Sequence, residues 1–127
     1  MKKILIVEDH ADIRRLIRMS LEFESYEVHE AATAHEALAA VDRLAPDLVL
    51  LDVMMPGDLD GLDACRRIKD KPGSHSRVVM LSARGMDTDR ERGFAAGADA
   101  YLVKPFSPLQ LIQVMEQMLA EDAVPWQ

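Results

Sequence analysis

Hydrophobic residues follow two patterns that take turns along this chain. Unbroken apolar runs occupy Lys2–Val7, residues 47–52, residues 78–81 and Ala100–Val103, with a weaker run at Tyr26–Ala31. An unbroken run marks a strand buried on both faces, and the weaker one reads as a strand nearer a sheet edge. Between the runs, apolar residues recur every three or four positions, the helical period. They are Ile13, Leu16, Ile17 and Leu21 within residues 11–24; Leu38, Val41 and Leu44; Leu62, Cys65 and Ile68; and Leu109, Ile112, Met115 and Leu119. A short helix is also expected over residues 87–96.

Local signals punctuate these segments. Thr33 and Glu36 form a capping box, Pro46 prevents the helix after it from continuing, and Pro72 and Gly73 stop the next. Gly97 is placed as a left-handed terminator, and Ser107 followed by Pro108 is a helix start. The outcome is five strand–helix units in series. Such a series builds a parallel sheet covered by helices on both faces, because crossovers between parallel strands are right-handed. The expected fold class is α/β, a doubly wound five-stranded parallel sheet.

Composition narrows the picture. The chain has 127 residues, enough for one domain, read as residues 1–122 with a C-terminal tail at 123–127. Hydrophobic residues make up 49%, which is compatible with a packed core. No apolar run approaches the roughly 18–20 residues of a membrane span, so no membrane partner is expected. The basic-then-apolar start is cut short by Glu8 and Asp9 before it reaches signal-peptide length, which suggests a cytoplasmic protein. A formal net charge of -7 argues against direct nucleic-acid binding, which needs clustered Lys and Arg. The single cysteine, Cys65, excludes an internal disulfide and reads as a core residue. His10, His29, His35 and His75 lack metal-ligand spacing; they are expected on the surface, without a role.

In open parallel sheets the ligand site lies beyond the carboxyl ends of the strands. Four of the five runs, all but Tyr26–Ala31, bring Glu8, Asp9, Asp52, Ser82 and Lys104 to that edge. Three carboxylates together either raise a pKa or attract a cation. Hard oxygen donors suit Mg²⁺, which binds through one or two carboxylates plus water and phosphate oxygens. A carboxylate there can attack phosphorus, with Ser82 and Lys104 placed to receive the transferred oxygens.

The chain resembles the receiver domain of two-component response regulators from about Lys2 to Glu121. The resemblance rests on Glu8-Asp9 after the first strand and on Asp52 with Met54, Met55 and Pro56 after the third. Ser82-Ala83 after the fourth and Lys104-Pro105-Phe106 after the fifth complete it. It implies a flavodoxin-like (βα)5 receiver fold and a phosphorelay switch rather than a turnover enzyme. A histidine kinase or histidine phosphotransfer protein would supply a phosphoryl group to Asp52 in a Mg²⁺-dependent step. A downstream protein effector or a fused output domain would read the result. Residue by residue, the resemblance makes Asp52 the phosphoacceptor, with Ser82 and Lys104 assisting. Asp9, Asp52 and the Met54 carbonyl become metal ligands, and Glu8 holds a metal-bound water. Ser82 and Tyr101 form the switch, and the Lys104–Pro105 bond is cis. The first helix, with Arg14, Arg15 and Arg18, becomes a docking element, and the fourth helix, fifth strand and fifth helix an output surface.

The sequence departs from the family pattern in two places. The loop at residues 57–61 looks one residue longer, which adds Asp58 near the site without moving Asp52 or Met54 along the chain. Met54 and Arg84, two residues after Asp52 and Ser82, are not suited to position an attacking water. Slow loss of the phosphoryl group follows from that. Three other readings compete. A Mg²⁺-dependent phosphohydrolase with an aspartyl nucleophile often carries a second carboxylate where Met54 stands. A flavodoxin-like cofactor binder needs a Ser-, Thr- and Gly-rich loop where residues 8–12 are acidic. A degenerate receiver that only binds partners would not need the intact acids, hydroxyl and lysine.

Overall fold

In a computed structural model, which describes residues 1–120, ten elements alternate in strict order. They are β1 (Lys2–Val7), α1 (Ala11–Ser20), β2 (Tyr26–Ala31), α2 (Ala34–Leu44), β3 (Leu48–Asp52), α3 (Gly61–Asp70), β4 (Arg77–Ser82), α4 (Asp87–Ala95), β5 (Ala100–Val103) and α5 (Pro108–Leu119). The tail expected at residues 123–127 lies outside the described residues.

All five strands are parallel, in the order β2-β1-β3-β4-β5. Side chains alternate across a strand, so each central strand feeds two cores. Leu5, Val7, Val49, Leu51, Val78 and Met80 pack with Ala37 and Val41 of α2 and Cys65 and Ile68 of α3. Ile4, Ile6, Leu48, Leu50, Val79 and Leu81 face Ile17 of α1 and Leu111, Met115 and Met118 of α5. Residues on β1, β3 and β4 are buried on both faces, as continuous apolar runs require, whereas β2 is a half-exposed edge.

Helix starts follow the local chemistry. Thr33 caps α2 through Glu36 N, and Asp60 and Asp63 form a reciprocal box at α3. Ser107 and Gln110 do the same at α5, with Pro108 in its first turn. Gly97 has φ 103, as its terminator role requires.

Two helical stripes differ from expectation. Helix α1 ends at Ser20, because Leu21, Glu22 and Glu24 donate to carbonyls three residues back and the chain tightens into turns that tuck Leu21 into the core. Leu16 and Leu109 are exposed. On α5 the buried face is carried by Leu111, Val114, Met115 and Met118, so the real stripe is rotated from the one through Leu109 and Ile112.

Candidate functional site

The strand order reverses between β1 and β3: β1 leads away to β2 on one side, β3 to β4 on the other. The loops leaving these two strands therefore part and open a crevice at their carboxyl ends. Glu8 and Asp9 follow β1 at its rim, and Asp52 closes β3 beside them.

Asp52 is 3% exposed and Glu8 fully buried. Lys104, just past β5, places Nζ 2.8 Å from Glu8 Oε2 and 3.4 Å from Asp52 Oδ1. The Met54 amide donates to the same Asp52 oxygen at 3.2 Å. Burial and the charge of Glu8 raise the Asp52 carboxyl to about 6, against the opposing pull of Lys104 and the Met54 amide. Burial also works to raise Glu8, but bonds from Lys104 and His10 outweigh it and hold it below the ordinary carboxylate value. The lysine is raised in turn: burial disfavours its charge, and Glu8 and Asp52 more than offset that.

Asp9 Oδ1 is buried with no hydrogen-bond partner among the described residues. The nearest cationic candidate, His10 Nδ1, stands 3.3 Å away but outside hydrogen-bond geometry. One donor atom from each of Glu8, Asp9, His10 and Asp52 lies within 4.8 Å of all the others. A buried acceptor without a donor, inside a group of carboxylates, is the arrangement a hard divalent cation would satisfy.

Ser82, the last residue of β4, is fully buried, and its hydroxyl accepts the Arg84 amide at 3.0 Å. The Arg84 carbonyl accepts the Tyr101 hydroxyl at 2.7 Å. Tyr101 thus points inward, 2% exposed, with Arg90 5.7 Å from its ring centroid. Gly93 of α4 makes room for that ring: a Cβ there would stand 3.0 Å from Tyr101 Cδ2. The Lys104–Pro105 bond is cis, as the resemblance implied. The loop from Val53 to Asp60 is pinched at its base, where the Gly61 amide bonds the Val53 carbonyl at 3.1 Å. A Cβ at Gly61 would sit 2.3 Å from the Asp52 carbonyl oxygen.

A family model of the response regulator receiver domain matches residues 4–116. This chain belongs to the response regulator receiver domain family. As a receiver it is 46% identical over 117 residues to the transcriptional regulatory protein ResD of Bacillus subtilis, covering 92% of this chain and 48% of ResD. It thus spans about half the length of the curated relatives it matches. Among solved structures, a putative response regulator from Chloroflexus aurantiacus aligns with a TM-score of 0.89 at 35% identity, over 94% of this chain and 98% of the other. The chemotaxis protein CheY4 of Vibrio cholerae gives 0.87 at 30% identity, over 94% and 99%. The receiver family is a signalling switch, and its members bind Mg²⁺ at an acidic cluster such as this one.

One expectation is overturned by these relatives. Acidic composition argued against direct nucleic-acid binding, yet ResD is a transcriptional regulatory protein. Net charge describes only the residues counted, and this receiver covers half of that relative, so the exclusion is withdrawn. Among the described residues no helix is long and apolar enough to cross a membrane.

The receiver also contains contacts that sequence reasoning passed over. His10 touches the acid pair, and its place directly after Glu8 and Asp9 was the available signal. Arg14 donates to the Glu8 carbonyl at 2.7 Å and, with Arg18, grips Glu30. Those two arginines are therefore held by Glu30, although Arg18, like Arg15, is exposed.

Proposed function

We propose that Asp52 accepts a phosphoryl group from a histidine kinase or histidine phosphotransfer protein, assisted by Mg²⁺, and that the modified domain switches its output surface. The observation that carries this reading is the buried Asp52 carboxylate, touched by the Lys104 ammonium and beside the unpaired Asp9 oxygen. Both contacts to Asp52 fall on Oδ1, so attack falls to Oδ2. A bond forms from that oxygen to phosphorus as the bond from phosphorus to the donor's imidazole nitrogen breaks, and the imidazole leaves with the bonding pair. A carboxyl held at about 6 is largely ionised at neutral pH yet poorly solvated, which suits a nucleophile.

Asp9, Asp52 and the Met54 carbonyl are the residues to hold Mg²⁺ directly, with Glu8 acting through water. The ion would offset charge on the incoming phosphoryl group. Lys104 then pairs with one phosphoryl oxygen and the Ser82 hydroxyl turns to another. That turn gives up the bond from the Arg84 amide, and Arg84 is the residue whose carbonyl holds Tyr101. The new charge thereby reaches α4 and β5 through one backbone segment. The docking role read onto α1 falls to Arg15, with Leu16 and Met19 exposed on the same helix. A cytoplasmic location goes with this reading.

Intact mass after incubation with acetyl phosphate tests it, with and without Mg²⁺, on the natural chain and Asp52→Asn. One Mg²⁺-dependent phosphoryl adduct, absent from the variant, is expected. No adduct under any condition overturns the reading in favour of a partner-binding domain without phosphorylation.

A further inference from the structure

We propose that His10 is an additional donor of the metal site when a first-row divalent ion such as Mn²⁺ or Ni²⁺ occupies it, and that it raises the affinity for Ni²⁺. The proposal rests on the reading of the acid cluster as a metal site. Its own basis is the position of the ring. His10 is the N-cap residue of α1 but makes no side-chain bond to the helix amides, the usual task at that position. Its ring turns back to the acids instead, with Nδ1 hydrogen-bonded to Glu8 Oε1 at 3.1 Å and 3.3 Å from Asp9 Oδ1. On metal binding any proton on Nδ1 is released to solvent and its lone pair turns to the ion.

These separations match neighbouring donors on a single ion. With metal–donor bonds of about 2.1 Å, adjacent octahedral donors lie about 3 Å apart and opposite ones about 4.2 Å. The donor atoms of Asp9, His10 and Asp52, all within 4.8 Å of one another, need to close by only a few tenths of an ångström, with Glu8 still acting through water. The His10 side chain is 66% exposed, so it is free to make that adjustment. Asp9 Oδ1, 3.3 Å from the ring nitrogen, is buried and without a hydrogen-bond partner among the described residues. Carboxylates alone suit Mg²⁺, whereas an added imidazole strengthens binding of later first-row ions. The site is thereby tuned by a residue that bears no part in the phosphoryl chemistry itself.

The test compares the natural chain with His10→Ala and His10→Gln, folding being checked by circular dichroism. Electron spin echo spectra of the Mn²⁺-loaded protein are expected to show modulation from a directly bound ¹⁴N nucleus, lost in both variants. Calorimetry is expected to show Ni²⁺ affinity falling roughly tenfold in His10→Ala, with Mg²⁺ affinity unchanged within about twofold. Absence of ¹⁴N modulation in the natural chain, or its persistence in His10→Ala, overturns the proposal while leaving Mg²⁺ binding intact. Failure of the natural chain to bind either Mg²⁺ or Mn²⁺ overturns the metal reading of the acid cluster as well.

Discussion

Replacing Asp52 by Asn is expected to make the protein more stable, although it removes the group on which the proposed chemistry depends. Asp52 is buried beside the negative charge of Glu8, and its carboxyl is raised to about 6 from an ordinary 3.8. A raised folded-state value means that the native chain binds more protons than the unfolded chain between those two values. Stability from this group is therefore fully present below about 3.8 and is lost as pH rises through about 6. The shift corresponds to about 3 kcal/mol at pH near 7.5, and roughly half of it develops above pH near 5. Asn fills the same space and carries no charge. Loss of attraction to Lys104 offsets part of the gain, but Lys104 keeps Glu8 at 2.8 Å. Urea unfolding in EDTA should place Asp52→Asn about 1–3 kcal/mol above the natural chain at pH near 7.5. The gap should shrink by about 1 kcal/mol or more at pH near 5. A variant no more stable at the higher pH, or a gap that widens on acidification, refutes the argument.

Four other outcomes are expected. Lys104→Met leaves Glu8 buried without its cation and should lower stability by about 2–4 kcal/mol at pH near 7.5, less at pH near 5 where Glu8 can take a proton, read by the same urea titration. Gly93→Ala drives a methyl group against the Tyr101 ring and Met80, 3.0 Å and 3.2 Å away. It should turn Tyr101 outward, seen as a rise in tyrosine quenching by iodide, and unchanged quenching would count against the packing argument. Burial pushes the Cys65 thiol up to about 12, so it should resist a thiol reagent at pH near 8 until urea unfolds the chain, and prompt labelling of the native protein would contradict this. The phosphorylated chain should lose its phosphoryl group on the order of minutes to hours, because neither Met54 nor Arg84 offers a group to position water; a half-life of seconds by mass spectrometry would refute that.

The strand ends were legible because burial on both faces writes an unbroken apolar run, and the residue ending each run is then placed by topology alone. That logic located Glu8, Asp52, Ser82 and Lys104 without side-chain geometry. Helical stripes were less legible. On α5 nearly every other residue is apolar, so periodicity alone could not choose between the face through Leu109 and the face through Leu111 and Met115. Helix α1 was read too long because Leu21 continues its stripe while the backbone has already left the helix. His10 was missed for another reason: its neighbours in space are its neighbours in sequence, and metal-ligand spacing rules look for residues further apart. Arg14 and Arg18 were read with Arg15 as one docking element because their partner, Glu30, lies across a turn on β2 and the sequence does not show that pairing.

The narrow neck at Gly61 bears on how this domain tolerates change. Val53 and Gly61 are bonded to each other at the base of the loop, so its ends stay together whatever lies between them. Lengthening a loop whose ends are already clasped adds little closure entropy, about 0.6 kcal/mol for each doubling. Material added at the tip, around the exposed Gly57 and Asp58, should therefore leave Asp52 where it is. The tip thus offers a grafting point, where a peptide epitope or small reporter module could be spliced close to the site while the carboxylate keeps its place.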